Sequence, residues 1–178
     1  REVGYAIIFV GLIAVIFAFY KLYSLYMIST AVKKQANNKA LDAANPLGRV
    51  LKVGQDHFNK DIDTLELKLA EAIMAERPKI DSGIGFIKII SVIAPLAGLL
   101  GTVTGMIVTF QMITLYGTGD PKLMAGGISQ ALVTTVLGLL VAIPTSLLHS
   151  FTQSSARGIV SILEEQSTGI LAERAETK

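Results

Sequence analysis

Leu96–Phe110 reads LAGLLGTVTGMIVTF, with three glycines and three threonines in a stretch that carries no charge. Ser91, Gly98, Thr102, Gly105 and Thr109 recur at steps of three, four and seven, which places them on one face of a helix. Further on, Thr135, Gly138, Ala142, Thr145 and His149 repeat at steps of three and four. A threonine hydroxyl both donates and accepts, so such a stripe could order water or solvate an ionisable group while carrying no fixed charge. Packing is the other explanation. Small residues let membrane helices approach closely, Gly101–Gly105 is itself a GxxxG, and a hydroxyl can return its hydrogen to the carbonyl one turn back. The two can coexist, with Gly101 and Gly105 at a helix contact and Thr102 toward a lumen.

Catalysis finds little support. His57 and His149 lie in different regions without ligand-spaced partners, and the absence of cysteine excludes disulfides, cysteine zinc sites and thiol chemistry. The glycines of the threonine segment lack the Lys-Ser/Thr ending that a phosphate loop requires. The chain is not expected to be an enzyme or to hold a metal or cofactor, and nothing in it points to nucleic acid.

The elements that carry these stripes follow from the distribution of charge. Of the 178 residues 51% are hydrophobic, and they are clustered. Val3–Tyr20 is uncharged for 18 residues, Ile89–Gly119 for 31 and Leu123–Leu148 for 26. A helix needs roughly 20 apolar residues to cross a hydrocarbon core, so three spanning helices are predicted. The second, about 45 Å long at about 1.5 Å per residue, must tilt or project. The chain opens on Arg1 rather than methionine, and an earlier segment is expected to precede it. Val3–Tyr20 lacks a basic leader and a small-residue cleavage site, which favours a retained anchor over a signal peptide.

Lys21–Lys88 holds 11 Lys/Arg and 8 Asp/Glu, with Lys21, Lys33, Lys34 and Lys39 after the first span and Arg77, Lys79 and Lys88 before the second. By the positive-inside rule this region and the C-terminal tail are cytoplasmic, and the N-terminus faces outward. The expected organisation is a first transmembrane helix over 1–21, a cytoplasmic helical region over 22–88, and a second transmembrane helix over 89–116. A periplasmic turn over 117–122 then leads to a third transmembrane helix over 123–150 and a cytoplasmic C-terminal helix and tail over 151–178. The short turn forces spans two and three into an antiparallel hairpin. Within the cytoplasmic region, Asn37, Asn38, Asn45-Pro46 and Gly48 read as breaks. Asp61–Glu76 reads as a helix with Asp61 as its N-cap, Pro78 biases Arg77 away from helix, and Ser82–Gly85 forms a joint. The last helix is expected to continue past His149 and to end near Gly169 or in Glu173–Lys178.

APLAGLLGTVTGMIVTF, followed by GGISQALVTTVLGLLVAIP, resembles the second and third spans of the MotA/TolQ/ExbB proton-channel family. The resemblance is dense from Asn45 to Gln166 and strongest from Ala94 to Pro144. It fits best the ExbB branch and its longer TtpC-like variants, whose N-terminal extension would account for the missing start. It implies an all-α membrane protein that forms a ring, a homopentamer, in the bacterial inner membrane. That ring would surround the helices of an ExbD-like single-span subunit, using the proton gradient to drive a TonB-like protein. It also implies that Thr102 and Thr135 face the pore beside an aspartate of the ExbD-like helix. Thr109, Gln130 and Thr134 are expected along the same path, and Gly98, Gly101, Gly105, Gly138 and Pro95 in helix packing. One position departs from the pattern. Where ExbB and TolQ usually have Gly-Ile-Ala-Glu-Ala-Leu, this chain has Gly127-Ile128-Ser129-Gln130-Ala131-Leu132, and a glutamine can only hydrogen-bond. With no Asp, Glu, Lys, Arg or His from Ile89 to Gly119 or from Leu123 to Leu148, the chain cannot relay protons alone and needs a partner's carboxylate. A TolQ- or MotA-like subunit serving another load, and a passive membrane scaffold in contact with lipid, stay open beside this reading.

Overall fold

Backbone N–H and C=O groups find no water in a hydrocarbon layer, so apolar runs of this length must satisfy them internally. The computed structural model describes residues 2–38, 41–117 and 121–177, with every side chain among them except those of 2, 3 and 123. All its regular elements are helices: α1 Glu2–Ala36, α2 Pro46–His57, α3 Ile62–Asp81, α4 Ile84–Tyr116 and α5 Pro121–Glu176. No strand occurs among the described residues. Gly4–Ala36, Ile84–Tyr116 and Met124–Glu176 are each long and apolar enough to cross a membrane, with mean hydropathy 2.3, 2.1 and 2.1 over their best windows. Large apolar side chains such as Leu99, Val103, Leu132 and Leu140 remain exposed along them, as lipid-facing residues do. The chain is a multi-pass, all-α membrane protein.

Two compact units divide it. The first comprises the chain up to Phe19 together with Ile84–Ser150. Its small core gathers Ile7, Ala94, Val141 and Ala142, with Ala97 against them. Gly11 lies so close to α5 that a methyl group there would fall 2.5 Å from Val141 Cγ2. Phe17 and Phe86 meet edge to face at 5.5 Å.

The second unit comprises Tyr20–Gly83 and the chain from Phe151 onward. Here α2 and α3 pack together. Asn45-Pro46, expected as a break, instead starts α2: the Asn45 Oδ1 accepts from Gly48 N at 2.8 Å, and Pro46 occupies the first helical turn, where its missing N–H costs nothing. Gly48, also expected as a break, lies inside that turn, and a side chain there would collide with the Asp42 carbonyl. Asp61 caps α3 as predicted, accepting from Thr64 N at 2.9 Å. The helix does not yield at Arg77; it runs through Pro78 to Asp81. Proline removes one ladder bond, and continuing the face of Leu65, Leu69 and Glu76 to a fully buried Ile80 offsets that loss.

Helix boundaries also move. α4 starts five residues before the predicted 89, directly after Gly83 (φ +79°), and α5 is one helix from Pro121 to Glu176 that passes through Pro144. α4 stops at Gly117 (φ +71°), and 118–120 of the expected 117–122 turn lie outside the described residues. Lys21 is turned inward and buried, whereas Lys33 and Lys34 are exposed.

An ion pair joins α2 to α3. Arg49 Nε and Nη2 donate to the two carboxylate oxygens of Glu76 at 2.9 and 2.6 Å, and Lys79 Nζ reaches Oε1 at 2.9 Å. Arg49 also donates to the Ala43 and Ala44 carbonyls, which fastens the loop before α2. The Arg49 hydrogen bonds hold the Glu76 carboxyl below the ordinary glutamate range, against the opposing effect of burial and with help from Lys79. A depressed folded pKa stabilises the fold fully above the ordinary range near pH 4.3 and loses that contribution as pH falls toward the folded value. Glu76→Gln is expected to cost about 2 kcal/mol, with amide exchange in α2 about 30-fold faster than wild type at pH 7. The two proteins should converge below the ordinary glutamate range; equal exchange at pH 7 would show the pair to be inert.

Candidate functional site

Helices α4 and α5 meet along a seam of small residues. Gly98 faces Gly138 and Thr134, Gly101 faces Thr134, Gly105 faces Ala131, and Thr109 faces Gly127. Each step up α4 is matched by a step down α5, so the two run antiparallel, as the short link predicts. A methyl group on Gly98 would sit 2.9 Å from the Thr134 carbonyl, and one on Gly138 would sit 2.6 Å from the Ala94 carbonyl. Those neighbours are backbone and cannot step aside. At Gly101 the obstructing atoms are the Thr134 side chain from its Cβ outward, and at Gly105 they are the Cβ, Cα and N of Ala131.

Close backbones bring hydroxyls within reach of the opposite helix. The Thr102 and Thr135 hydroxyl oxygens are in direct hydrogen-bond contact across the seam. Thr135 Oγ1 also lies 3.2 Å from the Gly98 carbonyl, and Thr134 Oγ1 lies 3.2 Å from it and 2.6 Å from the Ala131 carbonyl. Thr102 Oγ1 reaches the same two carbonyls at 3.2 and 3.3 Å. Each hydroxyl has one proton and several acceptors. The Thr102–Thr135 bond can therefore point either way, its acceptor in each case passing its own proton to a carbonyl. The result is a neutral cluster that can reverse its polarity without breaking the helices.

The five residues expected along a path are thus distributed unequally. Thr102 and Thr135 come together and are half-buried, Gln130 is exposed, and Thr109 and Thr134 are buried between the helices. Thr109 Oγ1 is occupied by the Gly105 carbonyl at 2.9 Å. Of the expected packing residues, Gly98, Gly101, Gly105 and Gly138 all lie in the seam, and Pro95 is half-buried beside Ala94. Ser91 bonds back to the Lys88 carbonyl at 2.7 Å and Thr145 to Val141 at 2.8 Å, both within their own helices. His57 Nδ1 is 2.9 Å from the Val53 carbonyl, one turn back along α2. Sequence reasoning missed Ala94, Gly127 and Ala131. The signal was present: Ala94, Gly98, Gly101, Gly105 and Thr109 on one helix and Gly127, Ala131, Thr134, Gly138 and Ala142 on the other form two rows with the same steps of three and four.

Residues 42–165 match the model of the MotA/TolQ/ExbB proton channel family. The chain is 35% identical over 111 residues to a protein of Methanothermobacter thermautotrophicus described as a biopolymer transport protein ExbB homolog, covering 60% of this chain and 38% of that one. It is 40% identical over 73 residues to the biopolymer transport protein exbB1 of Vibrio cholerae, covering 40% and 32%. With the biopolymer transport protein ExbB of Aquifex aeolicus it shares 47% identity over 58 residues, 33% of this chain and 39% of the other. The matched stretches thus span less than half the length of each of these relatives.

Backbone contact at Gly98 and Gly138 leaves no room for a side chain at either position. Gly98→Ala or Gly138→Ala is expected to cost about 1–3 kcal/mol by forcing the helices apart. Gly126→Ala and Gly158→Ala, inside α5 where an added methyl meets nothing within 4 Å, should hold or raise stability, by up to about 1 kcal/mol. Thermal unfolding of the detergent-solubilised protein checks this; a Gly98→Ala protein that melts with wild type would show that the helices do not approach so closely.

Proposed function

Since the chain belongs to the MotA/TolQ/ExbB proton channel family, we propose that it is an ExbB-like subunit of a proton-driven motor in the bacterial inner membrane. In this reading copies of the chain form a pentameric sleeve, N-termini periplasmic and C-termini cytoplasmic, around an ExbD-like single-span subunit. The motor energises TonB-dependent transport across the outer membrane. Thr102 and Thr135 form the wall of the proton path, and the ExbD-like helix brings the aspartate that carries the proton.

The observation behind this assignment is the neutral hydroxyl cluster of Thr102 and Thr135. It lies on two helices that hold no Asp, Glu, Lys, Arg or His between Ile89 and Tyr116 or between Leu123 and Leu148. Hydroxyls that can turn their protons either way can donate to a carboxylate and then accept from a carboxylic acid. Thr109 and Thr134, buried in the seam, serve packing in this scheme. Gln130, where the family pattern has glutamate, contributes an amide that hydrogen-bonds and cannot titrate.

Valine has threonine's shape without its hydroxyl; in either variant the remaining hydroxyl still donates to the Gly98 carbonyl, which also accepts in the α4 ladder, so neither Thr102→Val nor Thr135→Val leaves a donor or acceptor of the cluster unpaired. Both variants should fold and assemble. Losing one bond to a charged group is worth about 1.5–3 kcal/mol, so proton-driven transport should fall about 10- to 100-fold, with Thr→Ser retaining most of it. Transport by cells carrying each variant in place of wild type, alongside the mass of the isolated complex, is the measurement. Intact assembly with normal transport in both valine variants removes the threonines from the path. A homo-oligomer that transports without a co-purifying single-span protein overturns the two-component reading.

A further inference from the structure

The outward face of α1 is uncharged well beyond Lys21. Tyr5, Phe9, Leu12, Ile16, Phe19, Tyr20, Tyr23, Tyr26 and Met27 are all exposed there, and the tyrosines at 20, 23 and 26 are 65–69% exposed. Their spacing of three keeps them on one side of the helix, as does the four-residue step from Tyr23 to Met27. Lys21 points to the opposite side and is only 8% exposed, so it puts no charge on the outward face. The first exposed cations on α1 are Lys33 and Lys34. Tyr5, 70% exposed, stands at the other end of the same face. Between Tyr5 and Tyr26 lie 21 helical steps, about 31 Å at about 1.5 Å each, against a hydrocarbon core of about 30 Å.

Tyrosine has an apolar ring and a polar hydroxyl, and the boundary between acyl chains and headgroups accommodates both. We infer that the Tyr23–Tyr26 row of α1 is a lipid-binding surface seated at the cytoplasmic headgroup boundary, with Tyr5 at the opposite boundary. The first span then runs from about Tyr5 to Tyr26 rather than ending at Lys21. The partner is the bilayer interface itself. A lipid-filled surround explains why tyrosines, and not charges, occupy exposed positions for two further turns of the helix. The inference rests on the membrane reading of α1 and is independent of any proton path.

The chain contains no tryptophan and no cysteine, so single reporters read without background. The full chain is reconstituted into phosphatidylcholine–phosphatidylglycerol vesicles as Tyr23→Trp, Tyr26→Trp, Ile16→Trp and Lys34→Trp. Quenching is measured with lipids brominated near the headgroup, with lipids brominated deep in the acyl chain, and with aqueous acrylamide. Trp at 23 and 26 should be quenched most by the shallow bromines, at 16 by the deep bromines, and at 34 by acrylamide. Acrylamide quenching at 23 and 26 equal to that at 34 would place the row in water and overturn the inference. Shielding from both bromolipids and acrylamide would overturn it differently, by showing that protein covers the row. As a second measurement, Tyr26→Cys should react with a membrane-impermeant maleimide at least tenfold more slowly than Lys34→Cys in opened vesicles; equal rates would also overturn it.

Discussion

The backbone contact between Gly98 and Gly138 is the constraint on which the membrane-embedded unit depends. Lipid tails are as apolar as leucine, so no hydrophobic force drives α4 against α5. Association must come from close van der Waals contact and from hydrogen bonds that cross between helices. Both require short interaxial distances, and short distances require residues without side chains at the crossing. Only because the backbones meet at Gly98 can the Thr134 and Thr135 hydroxyls on α5 lie 3.2 Å from a carbonyl of α4. The same requirement recurs where α1 joins the unit, with Gly11 against Val141 and Gly4 against Leu137. Glycine in these helices is therefore the condition for close approach, which is polar at Gly98 and apolar at Gly4 and Gly11.

The division of roles among adjacent threonines was the hardest feature to read from the sequence. Three spans, an antiparallel hairpin and the Asp61 cap were all legible, because length, charge and capping chemistry act locally. So was the presence of a small-residue stripe. Which hydroxyl is buried was not. Neighbouring helical residues point about 100° apart, so Thr134 and Thr135 both border any broad stripe. Their different burial depends on how α5 is rotated against α4, and a single helix carries no record of that. α2 was missed for another reason. Its 12 residues include Pro46, Gly48, Gly54, Lys52, Gln55 and Asp56, a composition that reads as loop. The helix is held by its Asn45 cap and by Arg49, whose partner Glu76 is 27 residues away.

A neutral site suits the proposed work better than a charged one. A fixed charge between α4 and α5 would need a permanent partner, and a paired charge is not free to respond. Hydroxyls bonded to one another and to carbonyls contribute about 0.5–1.5 kcal/mol per bond. A bond to an ionised carboxylate is roughly twice as strong. In the proposed function, an arriving carboxylate would draw Thr102 and Thr135 out of their mutual bond, and its protonation would let them return. The difference, about 1 kcal/mol per bond, is small beside the roughly 2.3 kcal/mol that a charge gains per 100 mV of membrane potential. Under the proposed function, the gradient would then be able to drive the exchange without trapping the carboxylate. Stronger bonds would hold it, and an apolar seam would exclude it.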